Sequence, residues 1–548
     1  GCRVVGPVDE PGHLVPVVAT PDRRTQFLER LFPFTDDSDI EARELLERLL
    51  RQGGDVHTTD DGHGFRQEIL DQRGRVGGRL DLVGERGQAD HVGCHPEVIS
   101  YNGKPVQTPN PDALAAEGTL FTHAYAESLP TMPTRHTWWT GRTQFPFRGW
   151  EPFEKTDFLL AEILWDKGYT SALVTDVYHM HKPVYNCGRG FDTVSWIRGQ
   201  EYDPWVVGDA PVDIERWHRL KGDDTDELWR PRFEQYMRNR ADFKDEEDWF
   251  APRVTREATR WLDHQVKDQG KKDDLFLWVD YFDPHEPWDP PEPYWSMYQD
   301  PEYTGQDIID PIAGPTEGYI TPEETQRTKS LYAGEVTFVD KWIGVLLDHV
   351  RDLGLYDDTL IIHLSDHGEP FGEHGIIRKA RPWAYEELAR SPWIMRMPGG
   401  EHGGQQLDDL VQPRDLLPTI LDALGIGGDL VLPFRAPRAT TQLFPQDMVT
   451  ESRNVAVHGE SVLPLIRGES STLRDFAFTG HHGQQWAVRN HIWTVLININ
   501  EKAGRLGTPN ELYERRLDPG EHEDRAEDLP EIVDMFELAM RRYVGSLR

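Results

Sequence analysis

Three stretches of this chain are short apolar runs that end in polar residues: TSALVTD at 170–176, LFLWVDYF at 275–282 and TLIIHLSD at 359–366. Runs of that length predict strands. Between them lie amphipathic segments. In GEVTFVDKWIGVLLDHVRDLG, Val336, Val339, Ile343, Leu346 and Val350 recur at steps of three and four, which is the buried face of one helix. The alternation runs from about 76 to 430 and predicts an α/β domain, a mostly parallel sheet sandwiched by helices. In such sheets reactive groups gather beyond the carboxyl ends of the strands, where Asp176, His285 and Asp366 fall.

The pattern changes at both ends. Residues 1–75 read as a helical appendage, with helical periodicity in RTQFLERLFPFTDDSDIEARELLERLL and Asp36 to Asp39 as its cap region. Within 450–548, DFAFTG, QWAVRN and IWTVLININ predict short antiparallel strands, and LPEIVDMFELAMRRYV a closing helix. That predicts a smaller C-terminal α+β subdomain.

Composition narrows the function classes. Formal charge is −36, from 95 acidic and 59 basic residues, of which only 13 are Lys. Nucleic acid and anionic membrane both require a basic footprint, so neither is an expected partner. Cys2, Cys94 and Cys187 form neither a disulfide framework nor a CxxC metal pair. No apolar run reaches membrane-spanning length and no basic-then-apolar segment opens the chain, so the expected location is cytoplasmic. A small molecule is the expected partner, with self-association as a homo-oligomer left open.

Four stretches carry candidate chemistry. In LSDHGEPFGEHG (364–375), Asp366 and His367 follow an apolar strand directly, and a carboxylate beside an imidazole supplies half of a divalent-metal site. An exposed Asp-His turn is the alternative. In FDPHEPW (282–288), two prolines fix the loop around His285, which suits a proton donor or an anion ligand. Lys379, in IIRKARPWAYEE, is an anion-binding candidate. In SLPTMPTRHTWWTGR (128–142), Arg135 lies one helical turn beyond Thr131 if a helix starts near Pro133. That sets a guanidinium fork beside a hydroxyl, as an oxyanion substrate requires. The alternative is a Thr N-cap with Pro inside the first turn.

Taken together, these segments resemble the sulfatase family of the alkaline phosphatase superfamily. The resemblance covers most of residues 82–530, with motifs in the family's order. QADHVGCH and TPNPDALAAEGTLFTHAYAESLPTMPTRHTWWTGR resemble the N-terminal signature. LAEILWDKGYTSALVTD, DYFDPHEPW, YAGEVTFVDKWIGVLLD and SDHGEPFGEHG resemble the middle, and DLLPTILDALGI, SVLPLIRGE and ELYERRLDPGEHED the tail.

The resemblance implies an alkaline-phosphatase-like fold and a metal-dependent ester hydrolase. The family pattern at 131–135 is Cys or Ser, any residue, Pro, a small residue, Arg. Its first residue is oxidised to formylglycine, whose hydrate attacks sulfur. Thr131 stands there and cannot become that aldehyde. Related enzymes of the superfamily use an unmodified Thr as a phosphoryl acceptor, which makes a phosphate or phosphonate ester the expected substrate.

By the same resemblance, Thr131 attacks, Arg135 and Lys379 hold non-bridging oxygens, and His285 holds another oxygen or protonates the leaving group. Asp366, His367, Thr131 and Glu85 hold one divalent cation, for which mixed Asp/His donors favour Mn²⁺ or Zn²⁺ over Ca²⁺. Glu85 and Arg86 stand where the family has metal-binding Asp residues. Asp176 stands where it has an anion-binding Lys, with His179 and His181 nearby. Asp176 and His179 are then the substrate contacts of a pocket unlike the usual sulfatase pocket. The competing expectations are a sulfate-ester hydrolase and a catalytically inactive binding protein on the same fold.

Overall fold

The computed structural model describes residues 100–101, 104–208, 211–379, 384–426, 431–432, 453–454, 457–499 and 510–547. The helix expected within 1–75, the glycine-rich run before Ala89, and Glu85 and Arg86 lie outside those residues.

Helix α1 (Pro109–Glu117) and strand β1 (Thr119–Ala124) precede the two-residue strand β2 (Ser128–Leu129) and helix α2 (Thr131–Thr140). Helix α3 (Leu160–Asp166) leads into strands β3 (Thr170–Thr175) and β4 (Thr193–Trp196). Helices α4 (Asp226–Asn239) and α5 (Phe250–Asp263) come before strand β5 (Leu275–Asp280). The long helix α6 (Pro322–Asp352) is followed by strands β6 (Ile361–Leu364), β7 (Trp393–Arg396) and β8 (Gln405–Val411), then helix α7 (Leu416–Ala423). Strands β9 (Ala477–His481), β10 (Gln485–Arg489), β11 (Trp493–Asn498) and β12 (Glu511–Glu514) lead to helix α8 (Pro530–Ser546).

Strand β3 lies between β4 and β5, both parallel to it. Strand β1 lies between β8, parallel, and β7, antiparallel, and β6 pairs antiparallel with β7. So β1, β6 and β8 run one way, and β7 alone runs against them. The strands expected in one mostly parallel sheet therefore fall into a three-stranded parallel sheet and a four-stranded sheet with one reversed strand.

The layering follows from side-chain alternation along β3. Leu173 packs with Met132, Trp138 and Trp139 of α2 and Leu160 of α3. Its neighbour Val174 packs with Phe250 and Val254 of α5 and Leu331 and Val336 of α6. Both faces are covered, which is why such strands read as unbroken apolar runs. Fully burying side chains of this kind contributes roughly 1.5–3 kcal/mol each. Helix α6 is started by Thr321, whose Oγ1 accepts Glu324 N at 3.2 Å while Glu324 Oε2 accepts Thr321 N at 2.9 Å. A Cβ at Gly334 would lie 2.4 Å from Tyr294 O, so only glycine lets α6 pass there. No helix among the described residues is long and apolar enough to cross a membrane.

The C-terminal segments expected as strands form one sheet, ordered β12-β11-β10-β9-β2. Its last member is the strand just before Thr131, with Gly480 beside Ser128 and His481 beside Leu129. Helix α8 packs Val533, Phe536 and Met540 on Phe145, Val488, Val495 and Leu512.

Candidate active site

Helix α2 begins at Thr131, two residues before the Pro133 start expected from sequence, and its N-cap position is held by Pro130 without a side-chain cap. The Thr131 hydroxyl is therefore not spent on capping. It lies 3.3 Å from His367 Nε2. The first turn is pinned instead by Thr134, whose Oγ1 donates to Ser128 O at 2.8 Å. The loop carrying His367 turns past Glu387, and a Cβ on Gly368 would stand 2.1 Å from Glu387 O. Close backbone approach requires that glycine. His367 Nδ1 lies 2.8 Å from Gly368 O. A carbonyl can only accept, so Nδ1 carries a proton and Nε2 is the nitrogen turned to Thr131.

Arg135 takes a different role from the expected one. Its Nε and Nη2 donate to the two oxygens of Asp280 at 2.8 and 2.7 Å. Its Nη1 donates to Asp366 Oδ2 at 2.8 Å and to Thr131 O at 3.1 Å. Four of the five N–H donors of a guanidinium are thus committed inside the protein. Arg135 clamps two strand-end carboxylates to helix α2, and four of its donors are turned to the protein rather than to the cavity. Burial alone would raise the Asp366 carboxyl, but His367 and Arg135 together hold it below the usual carboxylate range.

Thr131, His179, His285 and Lys379 line one cavity of about 380 Å³, with Glu201, Tyr202, Trp229, Arg232, Glu286, Asp310 and Arg378. His285 stacks on Phe282 with ring centroids 3.8 Å apart, and its Nδ1 lies 2.6 Å from Glu286 O. Burial, aided by Lys379 and Arg378, pushes its pKa well below the usual imidazole value. His285 is therefore neutral with a bare Nε2, so it accepts a proton before it can donate one. Lys379 Nζ donates to Glu286 at 2.8 and 3.0 Å and to Glu369 at 3.2 Å. Arg378 bonds Glu286 and reaches Asp310 Oδ1 at 2.6 Å. His179 Nε2 lies 3.1 Å from Glu201 Oε2.

Asp176 is not part of this cavity's lining. Its Oδ1 accepts Phe282 N at 2.8 Å and its Oδ2 accepts Gln200 Nε2 at 3.4 Å, and the residue is fully buried. Burial raises its pKa to about 7. It fastens the end of β3 to the Phe282 loop, which corrects its expected role as a substrate contact. Sequence reasoning missed Asp280, although its signal was present, an acid ending an apolar strand. It also missed Glu286, Glu369 and Arg378, each next to or near a motif residue. Trp229 and Arg232, on α4, carried no signal.

The donors present fit part of a cation site. His367 has the arrangement of a ligating imidazole, its second nitrogen fixed by a carbonyl. Asp366 and the Thr131 hydroxyl stand beside it. Among the described residues no group of three His, Cys, Asp or Glu side chains is gathered for a metal, and the expected further donor, Glu85, lies outside them.

Comparison with known proteins bears on this arrangement. The family profile "Sulfatase" matches residues 82–426. The uncharacterized sulfatase YidJ of Escherichia coli is 26% identical over 477 residues, covering 83% of this chain and 85% of that one. An arylsulfatase of Clostridium perfringens is 25% identical over 414 residues, 66% of this chain and 78% of its own. The multifunctional alkaline phosphatase superfamily protein PehA of Trinickia caryophylli is 26% identical over 406 residues, 65% of this chain and 76% of its own. The phosphonate monoester hydrolase of Agrobacterium radiobacter has the same fold, with a TM-score of 0.59 at 18% identity, over 84% of this chain and 94% of that one. With this family match across the segments that build the cavity, the chain belongs to the sulfatase family of the alkaline phosphatase superfamily and is an ester hydrolase of that family.

Proposed function

We propose that this hydrolase cleaves a phosphate or phosphonate ester, with Thr131 as the nucleophile. The observation that carries the reading is the Thr131 hydroxyl, which lines the cavity and faces His367 Nε2 at 3.3 Å instead of capping its helix. Thr cannot supply the aldehyde hydrate that suits sulfate transfer, whereas a Thr oxygen is a competent acceptor for phosphorus. Among the relatives, PehA is named as a multifunctional member of the superfamily and the Clostridium protein as an arylsulfatase.

Asp366 and His367, with Thr131 and Glu85, are the residues that would hold a divalent cation. Such a cation lowers the pKa of a hydroxyl and neutralises charge on an ester oxygen. The chain's own groups supply the rest. Arg135 fixes the first turn of α2 so that Thr131 Oγ1 is aimed into the cavity. The positive end of the α2 dipole favours an anion at that point. Lys379 and Arg378 present positive charge where the phosphoryl oxygens gain negative charge. As Thr131 Oγ1 bonds phosphorus and the ester P–O bond breaks, neutral His285 takes up the proton that the Thr131 hydroxyl gives up. Once charged, it returns that proton to the departing oxygen.

The test is a paired assay of 4-nitrophenyl phosphate, 4-nitrophenyl phenylphosphonate and 4-nitrophenyl sulfate, with each divalent ion added in turn. The phosphorus esters are expected to be turned over faster, and rapid quenching is expected to trap a phosphoryl group on Thr131. Faster turnover of the sulfate ester would replace this reading with the arylsulfatase one.

A further inference from the structure

The cations of the cavity are not equally engaged. Lys379 is held by Glu286 and Glu369, and Arg378 by Glu286 and Asp310. The remaining carboxylate of the lining, Glu201, is paired with His179. Among the described residues Arg232 makes no hydrogen bond or close ion pair, and Asp310, held by Arg378, acts on it only at longer range. The Arg232 guanidinium instead lies 4.6 Å from the Tyr202 ring centroid and 5.0 Å from that of Trp229. Two aromatic faces fix the plane of the fork but consume none of its N–H donors. The group is thus oriented and half-buried, with its N–H donors unbonded, in the lining that it shares with Thr131.

We propose that Arg232 receives a carboxylate on the organic half of the substrate, so that the protein selects esters whose leaving group is a ring bearing an acid. This rests on the ester-hydrolase reading of the same cavity. Three arguments support it. The two-donor edge of a guanidinium matches a planar carboxylate through paired charge-assisted bonds, which a neutral group does not reproduce. Trp150, Tyr202 and Trp229 offer ring faces along the lining, suited to a flat organic group between the two charged ends. The cavity volume, about 380 Å³, is at the small end for ligand pockets and suits one small molecule reaching both Thr131 and Arg232. The reaction at phosphorus is unchanged. Arg232 contributes by binding and orienting, and its effect falls mainly on KM.

The experiment compares 4-carboxyphenyl and 4-carbamoylphenyl phenylphosphonates, nearly equal in shape and different in charge. Wild-type protein is expected to favour the carboxylate ester at least tenfold in kcat/KM, chiefly through KM. In Arg232→Leu the ratio should fall to near one, and Arg232→Lys should keep part of it as a point charge. Calorimetry with 4-hydroxybenzoate against 4-hydroxybenzamide reads the same selectivity without turnover, and circular dichroism verifies that each variant is folded. If neither ester is cleaved while 4-hydroxybenzoate binds in an Arg232-dependent way, the hydrolase reading fails and the carboxylate site stands. Equal binding of the two probes by wild-type protein, or undiminished selectivity in folded Arg232→Leu, overturns the proposal.

Discussion

Arg135 grips Asp280 through a two-pronged contact, Nε to Oδ2 at 2.8 Å and Nη2 to Oδ1 at 2.7 Å, with both side chains buried. The contact ties the end of β5 to the first turn of the helix that presents Thr131. Removing one partner leaves a buried charge half-compensated, which costs about 3–5 kcal/mol. Asp280→Ala is therefore expected to lower unfolding free energy by that amount in urea titrations. A loss under about 1 kcal/mol would show that the pair does not organise the site.

Thr131 supplies a sharper test of chemistry. Thr131→Ala should reduce phosphoesterase turnover by several orders of magnitude, on the scale of a lost covalent nucleophile. Thr131→Ser keeps the hydroxyl and loses only a methyl group, so measurable turnover should remain. Steady-state kinetics on one phosphonate ester separates the two variants, and unchanged activity in Thr131→Ala would remove it from the mechanism.

Metal content addresses the partial donor set. Purified protein should carry about one divalent ion per chain by elemental analysis, and Asp366→Ala should carry almost none. Glu85→Gln should weaken retention during dialysis against a chelator. Equal metal content in wild type and Asp366→Ala would exclude Asp366 as a ligand.

A pH effect on stability follows from His374. Its Nδ1 lies 2.7 Å from Glu387 Oε1 and its Nε2 2.8 Å from Glu521 O, so both nitrogens face acceptors. Burial opposes the charge, yet Glu387 and the carbonyl push the pKa up to about 9. A folded value above the unfolded one means that the charged form stabilises the fold. The contribution is complete below about pH 6.5 and is lost as pH rises through about 9, on the order of 3 kcal/mol in all. Unfolding free energies across that window should show the decline, and His374→Gln should flatten it.

The strand-end rule set Asp176, His285 and Asp366 beyond strand ends, and His285 lines the cavity with Thr131 and Lys379, which the rule did not reach. It misjudged Asp176. That residue does follow β3 directly, but its carboxylate turns to the Phe282 N–H, and a run of apolar letters does not encode that direction. Arg135 was placed correctly on the helix, one turn from Thr131, while its partner Asp280 depends on how β5 packs against α2. Arg232 was illegible for another reason. Its meaning comes from the nearby rings of Tyr202 and Trp229, and neither residue belongs to a motif. Gly368 was illegible in the same way, since the Glu387 carbonyl that requires it comes close only in the fold.

The pairing of β2 with β9 has a consequence for biosynthesis. Among the described residues, Ser128 and Leu129, just before the helix carrying Thr131, pair as a strand with Gly480 and His481. Glu127 O also accepts Gly480 N at 2.8 Å, and Ala126 O accepts Thr479 Oγ1 at 2.7 Å. As the nascent chain leaves the ribosome, the segment before Thr131 waits for nearly the whole α/β region to be made. Closing so long a loop is entropically costly and slow, and its contacts come late. A chain interrupted before β9 would carry every motif residue of the cavity yet lack the sheet partner of the strand that aims Thr131.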